Sequence, residues 1–414
     1  MDGPERVARM LGGLLEAGHL AGIEQLPAVI ADHAAMAGLE NARLYLVDLR
    51  QQLLRELTGR GPDAGMGGEE YSVDGTLAGA AYRETRMIAG ARRTDGHRRR
   101  YWVPVLHGIE RLGVLRADLA DDAEENGNAI EALGHLASLT GLLLVSKRSS
   151  SDSHARLVRT EPMHVAAEMQ WKLMPPPAFA NDRVVIAAAM EPAYEVAGDA
   201  FDYALAGDIA HLAIFDAMGH DSAAGLTANL AVATCRSHRR EGHDLVTTAR
   251  AIESTLLKQF DHTRYTTGIL ADLDTHSGRL TWVNCGHLPP VLIRGGRWTT
   301  TLDCPPSHPM GTELNVPLTL CHEQLEPEDR LLLYTDGITE ARDAGGLQFG
   351  LAQFVDFIVR HHADGLPVPE TLRRLMRAVV QHHRDSLSDD ATVVFLEWQG
   401  GARSAALRAV TPQP

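Results

Sequence analysis

The stretch Leu331-Leu332-Leu333-Tyr334-Thr335-Asp336-Gly337-Ile338-Thr339-Glu340-Ala341 decides how the second half of the chain is read. Arg330–Tyr334 is an apolar run of strand length, and Thr335-Asp336-Gly337 ends it in a turn. Asp-Gly is a common turn pair, so this motif alone reads as a turn. Its weight comes from three more aspartates placed beside predicted strands. Asp199 lies in Val196-Ala197-Gly198-Asp199-Ala200-Phe201-Asp202, ahead of a strand expected over Phe201–Ala206. Asp216 lies in Phe215-Asp216-Ala217-Met218-Gly219-His220, after a strand expected over Ile209–Phe215. Asp389 lies in Ser388-Asp389-Asp390-Ala391-Thr392, ahead of a strand expected over Thr392–Trp398.

If these strands lie together, one sheet edge collects at least four carboxylates. Gathered anions repel one another and are costly to bury unless cations neutralise them. Oxygen ligands select hard divalent cations, Mg²⁺ or Mn²⁺. No histidine–cysteine constellation accompanies them, which argues against zinc. Gly198, Gly219 and Gly337 beside three of the aspartates allow a sharp turn or a close approach to a ligand.

Outward from these motifs, hairpin strands and grouped helices alternate from about residue 184 to the end. The predicted helices include Ser222–His238, Leu245–Phe260, Phe354–His361 and Glu370–His383. This pattern indicates a layered α+β domain rather than a parallel β-α-β fold. The chain has 414 residues, 44% of them hydrophobic, and a formal net charge of −15. That length permits two or more domains. The acidic balance argues against nucleic acid as the main partner. The four cysteines, at 235, 285, 304 and 321, form no C-x-x-C pair and fit a reducing cytoplasm. The start has no basic and apolar leader, and Ala132–Val145 falls short of the roughly 18 apolar residues that a membrane span needs. A soluble cytoplasmic protein with no membrane partner is expected.

Residues 1–147 read as helix, hairpin, irregular middle, hairpin and closing helix, a small α+β sensor domain. Arg92, Arg93, Arg98, Arg99 and Arg100 beside Tyr101 and Trp102 form a basic cluster, either an anion site or a solvated hairpin face. The serine-rich stretch 149–153 is the expected linker. A helix expected over Pro162–Met174 carries an apolar stripe and ends at Pro175-Pro176-Pro177. It either relays a signal through a dimer or packs on the following domain. The expected divisions are a regulatory domain over 1–147, a linker over 148–177, a second domain over 178–400 and a tail over 401–414.

On these motifs, residues 160–400 resemble the metal-dependent PPM (protein phosphatase 2C-like) serine/threonine phosphatases. The likeness is to their SpoIIE/RsbU-type bacterial branch. The matching motifs arrive in that family's order: Val196–Asp202, Asp216–His220, Asn284-Cys285-Gly286-His287-Leu288-Pro289-Pro290, Leu331–Ala341 and Asp389–Val394. The resemblance implies an α-β-β-α sandwich with a two-ion Mn²⁺ or Mg²⁺ centre. Asp216 would bridge both ions, the Ala217 carbonyl would bind one, and Asp199, Asp336 and Asp389 would complete the shell. It further implies hydrolysis of phosphoserine or phosphothreonine by a metal-activated water. The substrate would be a regulatory protein, in this branch usually an anti-sigma-factor antagonist. Ala197 and Asp221 stand where the family favours glycine. Asp221 reads either as the cap of the helix from Ser222 or as added charge near the metals, and His220 either as a hydrogen-bond donor behind the metal ligands or as a turn residue. Residues 1–147 resemble a GAF-type domain, which would bind a small ligand or a partner and gate the phosphatase, in a homodimer. The alternative function is a catalytically silent phosphoprotein-binding module.

Overall fold

The computed structural model describes residues 3–92, 98–120, 128–195, 198–363, 365–383, 387 and 389–400. Arg93, Val196, Ala197, Ser388 and the tail 401–414, each singled out above, lie outside these. The chain divides into two units between Pro162 and Met163.

The first unit contains α1 (Gly3–Leu20), α2 (Leu26–Met36), β1 (Glu40–Val47), β2 (Leu53–Leu57), β3 (Glu70–Ser72), α3 (Leu77–Glu84), β4 (Ile88–Arg92), β5 (Arg98–His107), β6 (Glu110–Ala120), α4 (Asn128–Arg148) and α5 (Asp152–Val158). The strands form one sheet in the order β3-β2-β1-β6-β5-β4. Successive side chains in a strand face opposite ways, and both faces here are apolar. Leu44, Leu46, Val103, Val105, Leu115 and Ala117 join Met10, Leu14, Ile30, Leu133 and Leu136 of the helices in the larger core. Their neighbours Tyr45, Trp102 and Val114 point to the other face and pack with Ala78, Ala81 and Tyr82 of α3. The middle expected to be irregular therefore holds a helix, capped by Thr76, whose Oγ1 accepts from the Gly79 amide at 3.0 Å.

Two expectations change in this unit. The serine stretch does not act as a simple linker, because Ser151 Oγ caps α5 by accepting from the His154 amide at 3.1 Å. The three described side chains of the basic cluster are paired within their own sheet: Arg98 to Glu40 at 2.6 Å, Arg100 to Asp118 at 3.4 Å, and Arg99 to the Gly90 carbonyl at 3.1 Å. In addition, α4 has 21 residues and is long and apolar enough by composition to cross a membrane. Its Leu133, Leu136, Ala137 and Leu144 are buried in the core of the unit.

The second unit contains α6 (Val165–Leu173), β7 (Ala178–Ala180), β8 (Val184–Glu191), β9 (Asp199–Ala206), β10 (Ile209–Ala217), α7 (Ser222–Arg240), α8 (Leu245–Phe260), β11 (Thr266–Asp274), β12 (Arg279–Cys285), β13 (Val291–Arg294), β14 (Trp298–Thr301), β15 (Cys321–Gln324), β16 (Arg330–Tyr334), α9 (Asp336–Thr339), α10 (Gly350–Ala363), α11 (Val368–His382) and β17 (Ala391–Trp398). One sheet runs β15-β12-β11-β10-β9 and the other β14-β13-β16-β17-β8-β7. Their inner faces meet in a core that includes Phe201, Leu212, Ile214 and Ile269 from the first sheet. Ile186, Leu331, Leu333, Val394 and Leu396 come from the second. The outer face of the first sheet packs Phe215 and Leu270 on Ala228, Val232 and Ile252 of α7 and α8. The outer face of the second packs Leu332, Val393 and Phe395 on Phe354, Leu372 and Leu375 of α10 and α11. Burial on both faces explains why these strands read as nearly unbroken apolar runs. The result is the expected α-β-β-α sandwich.

The helix expected over Pro162–Met174 is shorter, Val165–Leu173. It packs on its own unit: Trp171 Nε1 donates to the Ala193 carbonyl and Gln170 Nε2 to the Asp199 carbonyl, each at 2.7 Å. A disulfide joins Cys304 to Cys321, 17 residues apart, while Cys235 and Cys285 are free and buried. The cytoplasmic expectation rested partly on unpaired cysteines, and this bond removes that support.

Candidate metal centre

Strand register brings the first two aspartates together. In the β9–β10 pair Asp199 stands opposite Asp216. In the second sheet Tyr334 of β16 pairs with Val393 of β17, so Asp336, just after β16, and Asp389-Asp390, just before β17, leave from the same end. Side chains then tie the two sheets together. Thr335 Oγ1 donates to Asp199 Oδ2 at 2.7 Å and accepts from the Thr392 amide at 2.9 Å. Asp390 Oδ2 accepts from the Gly198 amide at 2.7 Å and the Asp199 amide at 3.3 Å. Asp199 and Asp390 are buried, Asp216 and Asp336 are half-buried, and Asp389 is exposed.

The glycines serve close approach of backbone to backbone. A Cβ on Gly198 would lie 2.7 Å from the Gly219 carbonyl oxygen and 2.8 Å from that of Ala217. One on Gly337 would lie 2.0 Å from the Asp390 carbonyl oxygen. Both separations are below contact distance, so only glycine fits.

The carboxylates act on one another. Burial, then Asp336, Asp389 and Asp390, push Asp216 up to about 7. Burial, then Asp216 and Asp390, hold Asp199 well above the usual carboxylate range. Burial, then Asp389 and Glu340, raise Asp336. Among the described residues, no group of three or more His, Cys, Asp or Glu side chains encloses an ion by itself. A hard dication such as Mg²⁺ keeps several waters and needs only one or two carboxylates directly, so an open cluster is compatible with one. The donor set fits: oxygen ligands only, with mutual repulsion that a dication would relieve. Asp199, Asp216, Asp336 and Asp389 are the carboxylates at this edge that could hold one.

The flanking motifs take structural roles. Asp221 caps α7, its Oδ1 accepting from the Ala224 amide at 2.8 Å, and His220 is exposed. Asn284 closes a turn on His287, accepting from its amide at 2.8 Å and donating to its carbonyl at 2.9 Å. His287 Nε2 sits 3.0 Å from the Tyr334 carbonyl and Nδ1 2.7 Å from the Thr267 hydroxyl. A carbonyl only accepts, so Nε2 carries the proton and Nδ1 accepts from Thr267. Burial keeps this imidazole neutral, down to about 4. The Asn284–Pro290 segment thus locks the two sheets beside Tyr334, as a structural turn. Asp202, in the first motif, belongs to a different network and pairs with Arg236 and Arg239 of α7 at 2.7 Å each.

Sequence reasoning missed Thr335 and Asp390 as parts of the site. The doubled Asp389-Asp390 was the available signal for the second of these.

Residues 207–399 match the family described as Stage II sporulation protein E (SpoIIE). The phosphoserine phosphatase RsbP of Bacillus subtilis (strain 168) is 23% identical over 224 residues, 52% of this chain and 53% of the relative. The chain thus spans about half the length of that curated relative. Among solved structures, the RsbU and RsbW domains of a Mycobacterium tuberculosis protein are 21% identical with a TM-score of 0.47, covering 53% of this chain and 62% of that one. The PP2C phosphatase domain of SpoIIE from Bacillus subtilis, with a fragment of its regulatory domain, is 23% identical with a TM-score of 0.44, covering 52% and 64%. Over residues 207–399 the second unit is therefore similar to the SpoIIE family.

Proposed function

We propose that the protein is a metal-dependent serine/threonine phosphatase that removes phosphate from a phosphorylated regulatory protein. The observation that carries the reading is the gathering of Asp199, Asp216, Asp336, Asp389 and Asp390 at the edge where both sheets meet. Bound there, Mn²⁺ or Mg²⁺ would supply Lewis acidity and a water acidified enough to attack phosphorus near neutral pH. The protein's part is to hold the ligands. Thr335 and the buried Asp390 fix Asp199 and the Gly198 backbone, and the β9–β10 register fixes Asp216 beside Asp199. Carry-over of Asp199, Asp216, Ala217, Asp336 and Asp389 as ligands to two ions belongs to this proposal. So do a phosphoserine or phosphothreonine substrate of the anti-sigma-factor-antagonist type and a cytoplasmic setting. The named activity of RsbP supports phosphoserine.

The purified chain should release phosphate from a phosphoserine peptide with Mn²⁺ and not with a chelator. Binding of the phosphopeptide without any release would instead mean a catalytically silent binding module. The substrate itself would appear as the phosphosite that rises in cells carrying Asp216→Asn.

The first unit is proposed to be a GAF-like regulatory domain that binds a small ligand or a partner and gates the second. We also propose a homodimer, supported by the exposed Leu15, Leu20 and Leu142 of the first unit and Val165 and Met169 on α6. Light scattering should give twice the monomer mass at micromolar concentration; the monomer mass would refute the dimer.

A further inference from the structure

The turn leaving the metal centre lies beside an arginine that sequence reading did not single out. Arg264 sits between α8 and β11. Its Nη1 donates to the Met218 carbonyl at 3.1 Å and its Nη2 to Asp221 Oδ2 at 2.9 Å. A Cβ built on Gly219 would lie 3.5 Å from Arg264 Nη1, so the guanidinium packs against the Met218–Asp221 turn, which begins two residues after Asp216. The Arg264 side chain is 23% exposed and its partner Asp221 is 58% exposed.

Charge arithmetic gives this position its meaning. The centre gathers the carboxylates of Asp199, Asp216, Asp336, Asp389 and Asp390. Two dications against five carboxylates would still leave one negative charge in excess, before a phosphomonoester dianion arrives. Such a substrate needs a further cation close by, and a planar guanidinium matches phosphate oxygens geometrically. Arg264 uses two of its five donors on the turn. The pair with Asp221 is solvent-exposed and of the kind that contributes little, so a phosphate could replace that carboxylate at little cost. Asp221 can let go without unravelling α7, because it caps the helix with Oδ1 and holds Arg264 with Oδ2.

Resting on the phosphatase reading above, we propose that Arg264 binds the substrate phosphate, and that Asp221 holds the guanidinium in place until the phosphate displaces it. The test combines steady-state kinetics on a phosphoserine peptide with calorimetry of inorganic phosphate binding to the Mn²⁺-loaded full chain. Arg264→Ala should raise both KM and the phosphate dissociation constant roughly 10–100-fold, the value of a charge-assisted hydrogen-bond pair. Its kcat and its thermal stabilisation by Mn²⁺ should hold. Arg264→Lys, which keeps the charge without the fork, should fall between. Asp221→Asn preserves the cap and removes the competing charge, so KM should drop. The assignment is overturned by an unchanged KM and phosphate affinity in Arg264→Ala, or by a raised KM in Asp221→Asn. It is equally overturned if Arg264→Ala loses kcat and Mn²⁺ stabilisation at unchanged KM, the mark of a strap on the turn. Wild-type protein without Mn²⁺-dependent turnover would refute the phosphatase reading instead, so the two failures are distinguishable.

Discussion

Asp216→Asn is expected to lower Mn²⁺-dependent phosphate release from a phosphoserine peptide by roughly 10³-fold while the fold persists. Asp216 is the residue on which the other carboxylates converge: Asp336, Asp389 and Asp390 all raise it. It is the penultimate residue of β10, in register with Asp199. A dication placed to relieve that repulsion would use Asp216, and asparagine keeps the shape while removing the charge. Losing several kcal/mol of transition-state charge stabilisation corresponds to about three powers of ten in rate. The control is Asp202→Asn. Asp202 is a fully buried aspartate of the neighbouring strand β9, but its partners are Arg236 and Arg239 of α7. That variant should lose stability and keep Mn²⁺ dependence. Undiminished turnover in Asp216→Asn would remove Asp216 from the centre and, with it, the assignment of the cluster.

The sandwich was legible because antiparallel strands buried on both faces leave long apolar runs, and because turns such as Gly207-Asp208 are local. Leu245–Phe260 was bounded as observed, since Asp244 caps it and Asp261 takes a left-handed conformation at its end. The aspartates were legible as a set for a related reason: each sits where an apolar strand stops, and strand ends are where a sheet edge collects side chains. What could not be read is long-range. Asp390 touches Gly198 across 192 residues and Thr335 touches Asp199 across 136. Neither bond leaves a periodic trace. Arg264 looked like one more loop arginine because its partners Met218 and Asp221 lie more than 40 residues upstream. The Cys304–Cys321 bond closes a loop whose spacing matches no short motif. In the first unit, α3 is only 8 residues and carries a glycine, too short for a helical period to stand out.

The same cluster makes the metal-free protein pay for its carboxylates in stability, and this is measurable without any substrate. The carboxyl of Asp216 is raised from 3.8 to about 7 in the folded state. A group raised on folding binds its proton more tightly when native, so its favourable contribution is complete below about 3.8 and is lost as pH rises through about 7. At pH 8 that loss amounts to roughly 4 kcal/mol. Without metal, Asp216→Asn should therefore melt above the wild type at pH 8, by about 5–15 °C for a unit of this size. The difference should shrink steadily as pH is lowered through 6 toward 4. Saturating Mn²⁺ should close most of that gap: it stabilises the wild type by about 2.7 kcal/mol at a hundredfold excess over its dissociation constant, and the variant far less. Thermal unfolding followed by circular dichroism, with chelator and with Mn²⁺ across this pH range, gives all of these values. If the variant is less stable than the wild type in chelator at pH 8, and Mn²⁺ stabilises both equally, then Asp216 is a structural anchor and the cation binds elsewhere.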